Sequence, residues 1–470
     1  MTSHETQMLL LLGAGAFVLA STYTSINVAL PQIQDEFDVS LSALKWVSII
    51  GAIMVASLSL SFGRIGDLLG RRRVYQSGIL VYTIGAGLTA LSLSFPQLMA
   101  SRVFMATGLA MSNPLAGAII AATVAQERRG RAIGLFASFQ AAGMLIGPTF
   151  GGAILDLASW RAIFVMYMGI GIVLCLAQAA LLRGADERRP EAFDYLGAVL
   201  LVIGYPSLLI ALSLGPGEGW GSKLTLLFFG VAAVGLAAFT ARELRFDKPI
   251  FHFRFFRSPT FCIAMFTLAV ASFVQNPATF FTPLYLQKVL NADALTVGLV
   301  MMALPISTLI AGPIGGSLSD RHNPWGIAAG GALLSLGAVL IYSRLGVEAS
   351  LVWVVVALSL IGLGAGFFRP ANQVAVYAQV EQRDYGAISA MLVLLQSLAG
   401  TMGTTIAVAI NESRSSANDA RSFTEGQQFA FTTLLPLLVI SIFVSLFARK
   451  LDRPSRRAPV VAAEAPERRA

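Results

Sequence analysis

Charge is scarce in this chain: Asp, Glu, Lys and Arg together make up 12% of it, against about 25% in soluble globular proteins. Water is therefore not its main solvent. Only 2 cysteines and 3 histidines are present, Cys175 and Cys262 in apolar runs and His4, His252 and His322 far apart. That scarcity excludes a disulfide framework and a metal site, zinc above all. No HExxH, GxSxG or Walker pattern occurs, so the chain is not expected to be an enzyme, and no bound cofactor is expected.

Apolar residues take the place of charge. Hydrophobic residues are 56% of the 470, mean hydropathy is +0.73, and there are 44 glycines. With roughly 20 apolar residues per bilayer crossing, the chain has room for about a dozen to fourteen spans and no large soluble domain. Runs bounded by charge, proline or glycine place fourteen spans near 8–30, 46–62, 74–94, 97–124, 132–154, 162–182, 195–214, 224–241, 259–286, 295–315, 326–343, 351–378, 386–409 and 428–448. The first run has no basic leader, and its polar end, Asn27 to Pro31, is expected to pass straight into a loop, so it reads as a span and not a cleaved signal.

The net charge of +8 is a matter of position. Of the 33 basic residues, 24 fall on alternate connections on one side of these spans and 7 on the other, with Arg102 and Arg369 left inside spans. A missed span would exchange the sides of everything after it. The asymmetry therefore puts both termini in the cytoplasm and accounts for the basicity without nucleic acid. Residues 450–470, rich in Ala, Pro and Arg, read as a disordered basic tail beside anionic lipid.

Local patterns recur. GLAMSNP at Gly108–Pro114 returns as GAGFFRP at Gly364–Pro370, and Gly130, Gln140 and Gly147 return as Gly386, Gln396 and Gly403, all 256 residues on. GRIGD at Gly63–Asp67 returns as GSLSD at Gly316–Asp320, 253 residues on. Three matched elements in one order imply two parallel six-span units, 1–182 and 259–449, with two further spans in the connection 183–258. Parallel membrane repeats place a substrate site near the midplane between the units, which is transporter architecture.

The run Gly63-Arg-Ile-Gly-Asp67-Leu-Leu-Gly70-Arg71-Arg72-Arg73 is expected in the loop after span two. Its glycines permit a tight turn and close helix approach, and Asp67 among arginines forms a breakable latch or, more plainly, accompanies ordinary positive-inside retention. This run resembles the signature loop of the major facilitator superfamily, G-x-L-a-D-r-x-G-r-[KR]-x, departing from it at Leu68. In span five, Gly143, Gly147 and Gly151 share a helix face suited to close packing, with Pro148 removing a backbone donor and Gly152 following. That run resembles the G-x-x-x-G-P-x-x-G-G signature of the superfamily's exporters. Asn27-Val-Ala-Leu-Pro31, Phe193-Asp194-Tyr-Leu-Gly197 and Pro283-Leu-Tyr-Leu-Gln287 narrow the resemblance to the fourteen-span drug:proton antiporters. It implies an all-helical, multi-pass exporter of amphipathic small molecules in the cell membrane, driven by a proton gradient and working by alternating access, with a monomer as the default state.

The chain departs from that family where Thr22 takes the position of an acidic residue in span one. No Asp or Glu lies well inside a span, and Thr does not titrate near neutral pH, so a coupling proton needs another carrier. Asp67, Asp156 and Asp194 are the carboxylates at hand. Arg102, in span four, matches a signature arginine and is expected either to couple or gate, or to bond carbonyls; Asn113 lies eleven residues on, on the same helix face. Arg369, at the repeat position of Asn113, either binds an anionic group or snorkels to the interface. Gln140, Gln396, Thr22, Asn27, Asn113, Gln275, Asn276 and Asn372 are expected, with Arg369, to line a substrate cavity, or else to bridge helices. Two buried arginines without a buried carboxylate favour a neutral or anionic substrate. The alternatives are a dedicated exporter of one metabolite, lipid or siderophore, and a membrane sensor that moves nothing.

Overall fold

A computed structural model describes residues 3–124, 126–181, 195–243, 253–377, 379, 385–414 and 420–451. Asp194 and nearly all of the 450–470 tail lie outside these. Fifteen α-helices and one 3-10 turn, Phe253–Arg257, account for the architecture, and no strand occurs among the described residues. The helices are α1 (Ser3–Phe37), α2 (Leu41–Leu69), α3 (Arg71–Ala90), α4 (Phe95–Thr123), α5 (Gln126–Leu157), α6 (Trp160–Leu181), α7 (Tyr195–Glu218) and α8 (Lys223–Glu243), then α9 (Pro259–Lys288), α10 (Ala294–Met301), α11 (Ala303–Arg321), α12 (Pro324–Tyr342), α13 (Leu351–Tyr377), α14 (Tyr385–Glu412) and α15 (Ala420–Leu451).

Short polar side chains start them. Ser40, Asp293 and Asn323 accept from Ala43, Thr296 and Trp325 backbone N–H groups at 3.2, 3.2 and 3.0 Å, occupying donors that a first turn leaves without helical partners. Proline in the first turn of α4, α9 and α12 gives up an N–H that no helix bond needs. Large apolar side chains such as Phe443, Val234 and Leu176 are two-thirds exposed or more around the outside, where lipid replaces water.

Sequence expectations are corrected at four points. Among the described residues twelve helical segments are long and apolar enough by composition to cross a bilayer, against an expected fourteen spans; the expected third and fifth spans are the helices α3 and α5, which are less apolar and are packed against α4 and α6, and against α1 and α10. Span one does not end at Asn27–Pro31: α1 continues through Pro31 to Phe37. The tenth span is broken after Met301, and Pro305, lacking an N–H, lies in the restarted first turn of α11. The Gly63–Leu69 run is helical, not loop; only Gly70, at φ 110°, makes the turn between α2 and α3.

Helices α1 to α6 pack mainly on one another, as do α9 and α11 to α15, while α10 packs chiefly on α5; α7, paired with α8, lies along α2 and α14. The halves meet along two seams, α2 against α14 and α5 against α10, with α1 beside α9 between them. The sequence repeat returns as packing. A Cβ placed on Gly63 would touch Pro114 at 3.9 Å, and one on Gly316 would touch Pro370 at 3.9 Å. Thr22 hydrogen-bonds the Tyr82 hydroxyl, and Thr282 bonds that of Tyr342 at 2.7 Å. Each threonine also donates to the carbonyl one turn back, Val18 or Ala278.

Candidate functional site

Between the halves lies a cavity of about 230 Å³, space on the order of fifteen waters. The first half contributes Tyr23, Thr24 and Asn27 of α1, Ser48, Ile49 and Ala52 of α2, and Met144 and Pro148 of α5. The second contributes Gln275, Asn276, Thr279 and Phe280 of α9, Met301, Leu304 and Pro305 around the α10–α11 break, Leu358 and Arg369 of α13, and Thr401 and Thr404 of α14. No carboxylate is among these residues.

Arg369 is deep in the protein yet accessible, because its surface faces this cavity. Its Nη2 donates to Gln275 Oε1 at 2.9 Å, and both side chains also line a narrow side pocket of about 20 Å³ with Thr267, Ser272, Ser335 and Ser441. Asn276 lies against Gly400, where the missing side chain admits the amide.

Arg102 is placed differently. It is 3% exposed, donates from Nη2 to the Val47 carbonyl at 3.2 Å, has no partner for Nε, and sits beside Tyr23 and Tyr82. Tyr23 is thus shared: it walls the cavity and lies against Arg102 behind it. Behind the same wall, Ser21 and Ser25 hydrogen-bond the Tyr167 hydroxyl at 2.5 and 2.9 Å, and Ser25 donates to the Gly147 carbonyl at 2.6 Å.

Of the residues singled out in the sequence, the cavity brings together Asn27, Pro148, Gln275, Asn276 and Arg369. Thr22 is buried in its bonds to Val18 and Tyr82, off the wall. Asn372 is buried too, with its amide on the Ala264 carbonyl at 2.9 Å and on Thr267 Oγ1 at 3.2 Å. Gln140 and Gln396 are half-buried, and Asn113 is exposed although Arg102 on its helix is not; none of the three lines the cavity. Helix azimuth decides these cases, and one residue's step of about 100° separates Thr22 from the wall residue Tyr23. Tyr23, Thr401 and Thr404 were missed because aromatics and threonines are ordinary in spans. One signal was present: Thr404 stands at the repeat position of Pro148, and both residues reach the cavity.

The glycine run of α5 is a two-sided contact. Cβ atoms on Gly143, Gly147 and Gly151 would strike the α1 backbone at Phe17, Ser21 and Ser25, while one on Gly152 would strike α10 at Ala294. Gly298 of α10 returns the contact, its missing Cβ admitting the Pro148 carbonyl. In the Gly63–Arg73 run, Gly66 makes room for Leu115 and Arg71 Nη1 reaches the Ala118 carbonyl at 3.4 Å. The Asp67 side chain lies outside the described residues.

Polar bonds also tie the halves at the end remote from the arginine-rich connections. Asp156 of α5 accepts from the Ala294 and Leu295 N–H groups at 3.0 and 2.9 Å, and so caps α10 from across the seam. Lys288 pairs with Asp35 at 2.9 Å, Gln287 donates to the Val28 carbonyl at 2.9 Å, and Glu412 accepts from Ser42 N and Oγ at 2.8 and 2.5 Å. Beside that last contact Lys45, 1% exposed, donates to the Ser213 carbonyl of α7 at 2.9 Å.

Two packed helical halves around a shared cavity are accompanied by a family match across most of the sequence: the Major Facilitator Superfamily profile covers residues 12–404. The chain belongs to the Major Facilitator Superfamily. It is a multi-pass membrane transporter of that superfamily. It is 26% identical over 457 residues to the riboflavin transporter RibZ of Clostridioides difficile, covering 95% of this chain and 98% of that protein. The multidrug resistance protein Stp of Mycobacterium tuberculosis is 29% identical over 86% of this chain and 75% of its own length. The lincomycin resistance protein LmrB of Listeria monocytogenes is 25% identical over 92% of this chain and 94% of its own. Among solved structures, a bacterial homologue of the human lysosomal transporter Spinster, inward-facing, superposes with a TM-score of 0.67 at 18% identity, covering 98% of this chain and 100% of the other. The peptide transporter POT superposes with a TM-score of 0.68 at 16% identity, covering 94% of this chain and 95% of that one. These two establish the fold alone.

Proposed function

We propose that this superfamily member exports amphipathic small molecules from the cell in exchange for protons, by alternating access, acting as a monomer with both termini cytoplasmic. The observation that carries the reading is the cavity itself: both halves wall it, and polar bonds between the halves cross only a few turns away. Rocking one half on the other breaks those bonds and turns the cavity to the other side. The drug-resistance relatives supply the direction, outward. The apolar part of the wall, Ile49, Met144, Phe280, Met301, Leu304 and Leu358, discriminates weakly between apolar groups of similar size, as multidrug export requires.

Protons need a carrier that Thr22 is not. Asp156 suits the role: as a carboxylate it accepts two N–H bonds from α10, and as a carboxylic acid it holds them less strongly, which frees α10 from α5. At the other end, Gly63, Asp67, Gly70, Arg71 and Arg72 act as a conformational latch, and Asp67→Asn is expected to cut transport severely at unchanged expression. The deciding experiment is flux of a fluorescent neutral or anionic amphiphile in proteoliposomes, with a proton gradient imposed and then collapsed. Accumulation that follows the gradient supports exchange, and Asp156→Asn should weaken that dependence. Flux indifferent to the gradient overturns proton coupling, and no flux of any probe overturns export. The riboflavin transporter, alignable over nearly its whole length, favours one second reading, a dedicated exporter of a flat, polar-edged metabolite; a single substrate bound far more tightly than all drugs would establish it.

A further inference from the structure

We propose that the cavity selects amphiphiles carrying one anionic group, with Arg369 and Gln275 binding that group and the apolar walls taking the rest. The proposal rests on the export reading and adds the chemical class of the cargo.

A guanidinium inside a membrane protein is unfavourable unless something answers its charge; on insertion scales the cost is about 2.5 to 3.5 kcal/mol at a helix centre. In soluble and membrane interiors alike the usual answer is a carboxylate. Here none is available: the cavity wall and the side pocket contain no Asp or Glu. Arg369 makes one hydrogen bond among the described residues, to a neutral amide oxygen, and that bond uses one of five N–H donors. The remaining donors belong to a planar group suited to a carboxylate, sulfonate or phosphate.

Gln275 completes the arrangement. With its Oε1 held by Arg369, the amide nitrogen remains to donate, so the two side chains offer only N–H groups to a ligand. Thr279 lies one turn farther along α9, on the same wall. The same cavity is lined by the rings of Tyr23 and Phe280 and by Met144, Met301 and Leu358, which provide deformable apolar surface for the rest of an amphiphile. Arg102 reinforces the sign of the field without reaching the cargo, since Tyr23 separates it from the cavity. A cationic drug would face Arg369, with Arg102 behind the wall, and no counter-charge in the lining.

Three probes sharing one fluorophore test this: N-dansylglycine, its uncharged glycinamide, and a dansyl probe ending in trimethylammonium. Binding to the purified protein in nanodiscs is read separately from flux in proteoliposomes, so that loss of selectivity is distinguished from loss of export. The wild type is expected to bind the carboxylate at least about tenfold more tightly than the trimethylammonium probe, the scale of one charge-assisted contact. Arg369→Gln should lose that factor while glycinamide binding stays within about twofold, and Arg369→Lys should restore part of it. Gln275→Glu supplies Arg369 with an internal partner; it should weaken the carboxylate probe and strengthen the trimethylammonium one. Equal binding of all three probes, binding of none, or equal losses on all three in Arg369→Gln overturns the proposal. Flux of no probe despite selective binding leaves the selectivity standing and overturns the export reading instead.

Discussion

The two intramembrane arginines occupy opposite environments in halves that otherwise repeat each other. Arg102 is sealed behind Tyr23, against the Val47 carbonyl and Tyr82, in the half whose polar interior is a network of hydroxyls. Arg369 opens onto the cavity from the other half, where amides and threonines surround it. The frame is shared: both halves have the Thr–Tyr pair and the Gly–Pro contact. What the repeat keeps is architecture, and what it changes is the chemistry facing the cargo. Arg369 stands at the repeat position of Asn113, which reaches no part of the cavity, so the cargo-facing charge belongs to one half.

The strongest way to test the shared frame is to overfill it on both sides. Gly147 packs on the α1 backbone at Ser21, and Gly403 packs on the α9 backbone at Phe273, leaving no room for a side chain at either. Gly147→Leu and Gly403→Leu are each expected to abolish transport and sharply reduce folded yield, because a Leu side chain forces two helices apart at a cost of at least about 1 to 3 kcal/mol. Size-exclusion profiles of the two variants check this. A defect confined to one of them would mean that the halves share a pattern but not a function for it.

Next in size is the contrast between the arginines. Arg102→Leu removes a buried cation whose Nε already lacks a partner, so the thermal midpoint is expected to hold or rise. Flux should nevertheless fall at least about tenfold for every probe alike, the signature of a lost conformational step and not of lost recognition. Arg369→Gln should discriminate by charge instead. If Arg102→Leu sorts substrates by charge as well, the division of labour between the halves collapses into one field.

The sequence made some of this legible and hid the rest for definite reasons. Span positions followed from apolar runs, and the helical segments long and apolar enough to cross a bilayer among the described residues fall on them. α3 and α5 also coincide with expected spans, 74–94 and 132–154, though their composition is less apolar. Asn27, Gln275, Asn276 and Arg369 stood out as isolated polar groups in apolar helices. Whether such a group meets a cavity or another helix depends on contacts between segments over a hundred residues apart, as between Asn372 and Ala264. Single-helix periodicity contains no information on that choice. Asp156 was visible as a carboxylate at a span end, but its bond to α10 required the seam to be built first.

The finest distinction concerns the paired tyrosines. Tyr82→Phe and Tyr342→Phe each delete one hydroxyl bond and leave its threonine bonded to the carbonyl one turn back, so each should cost only about 0.5 to 1.5 kcal/mol. The stability losses, read as thermal midpoints in detergent, should be alike, because the frame is alike. Transport should not be. Tyr82 also sits beside Arg102, whereas Tyr342 stacks on Phe431 with centroids 4.7 Å apart. Flux through Tyr342→Phe is therefore expected to stay within about twofold of the wild type, while Tyr82→Phe disturbs the arginine and falls further. Equal flux in the two variants would show that the hydroxyl beside Arg102 does nothing its counterpart in the other half does not.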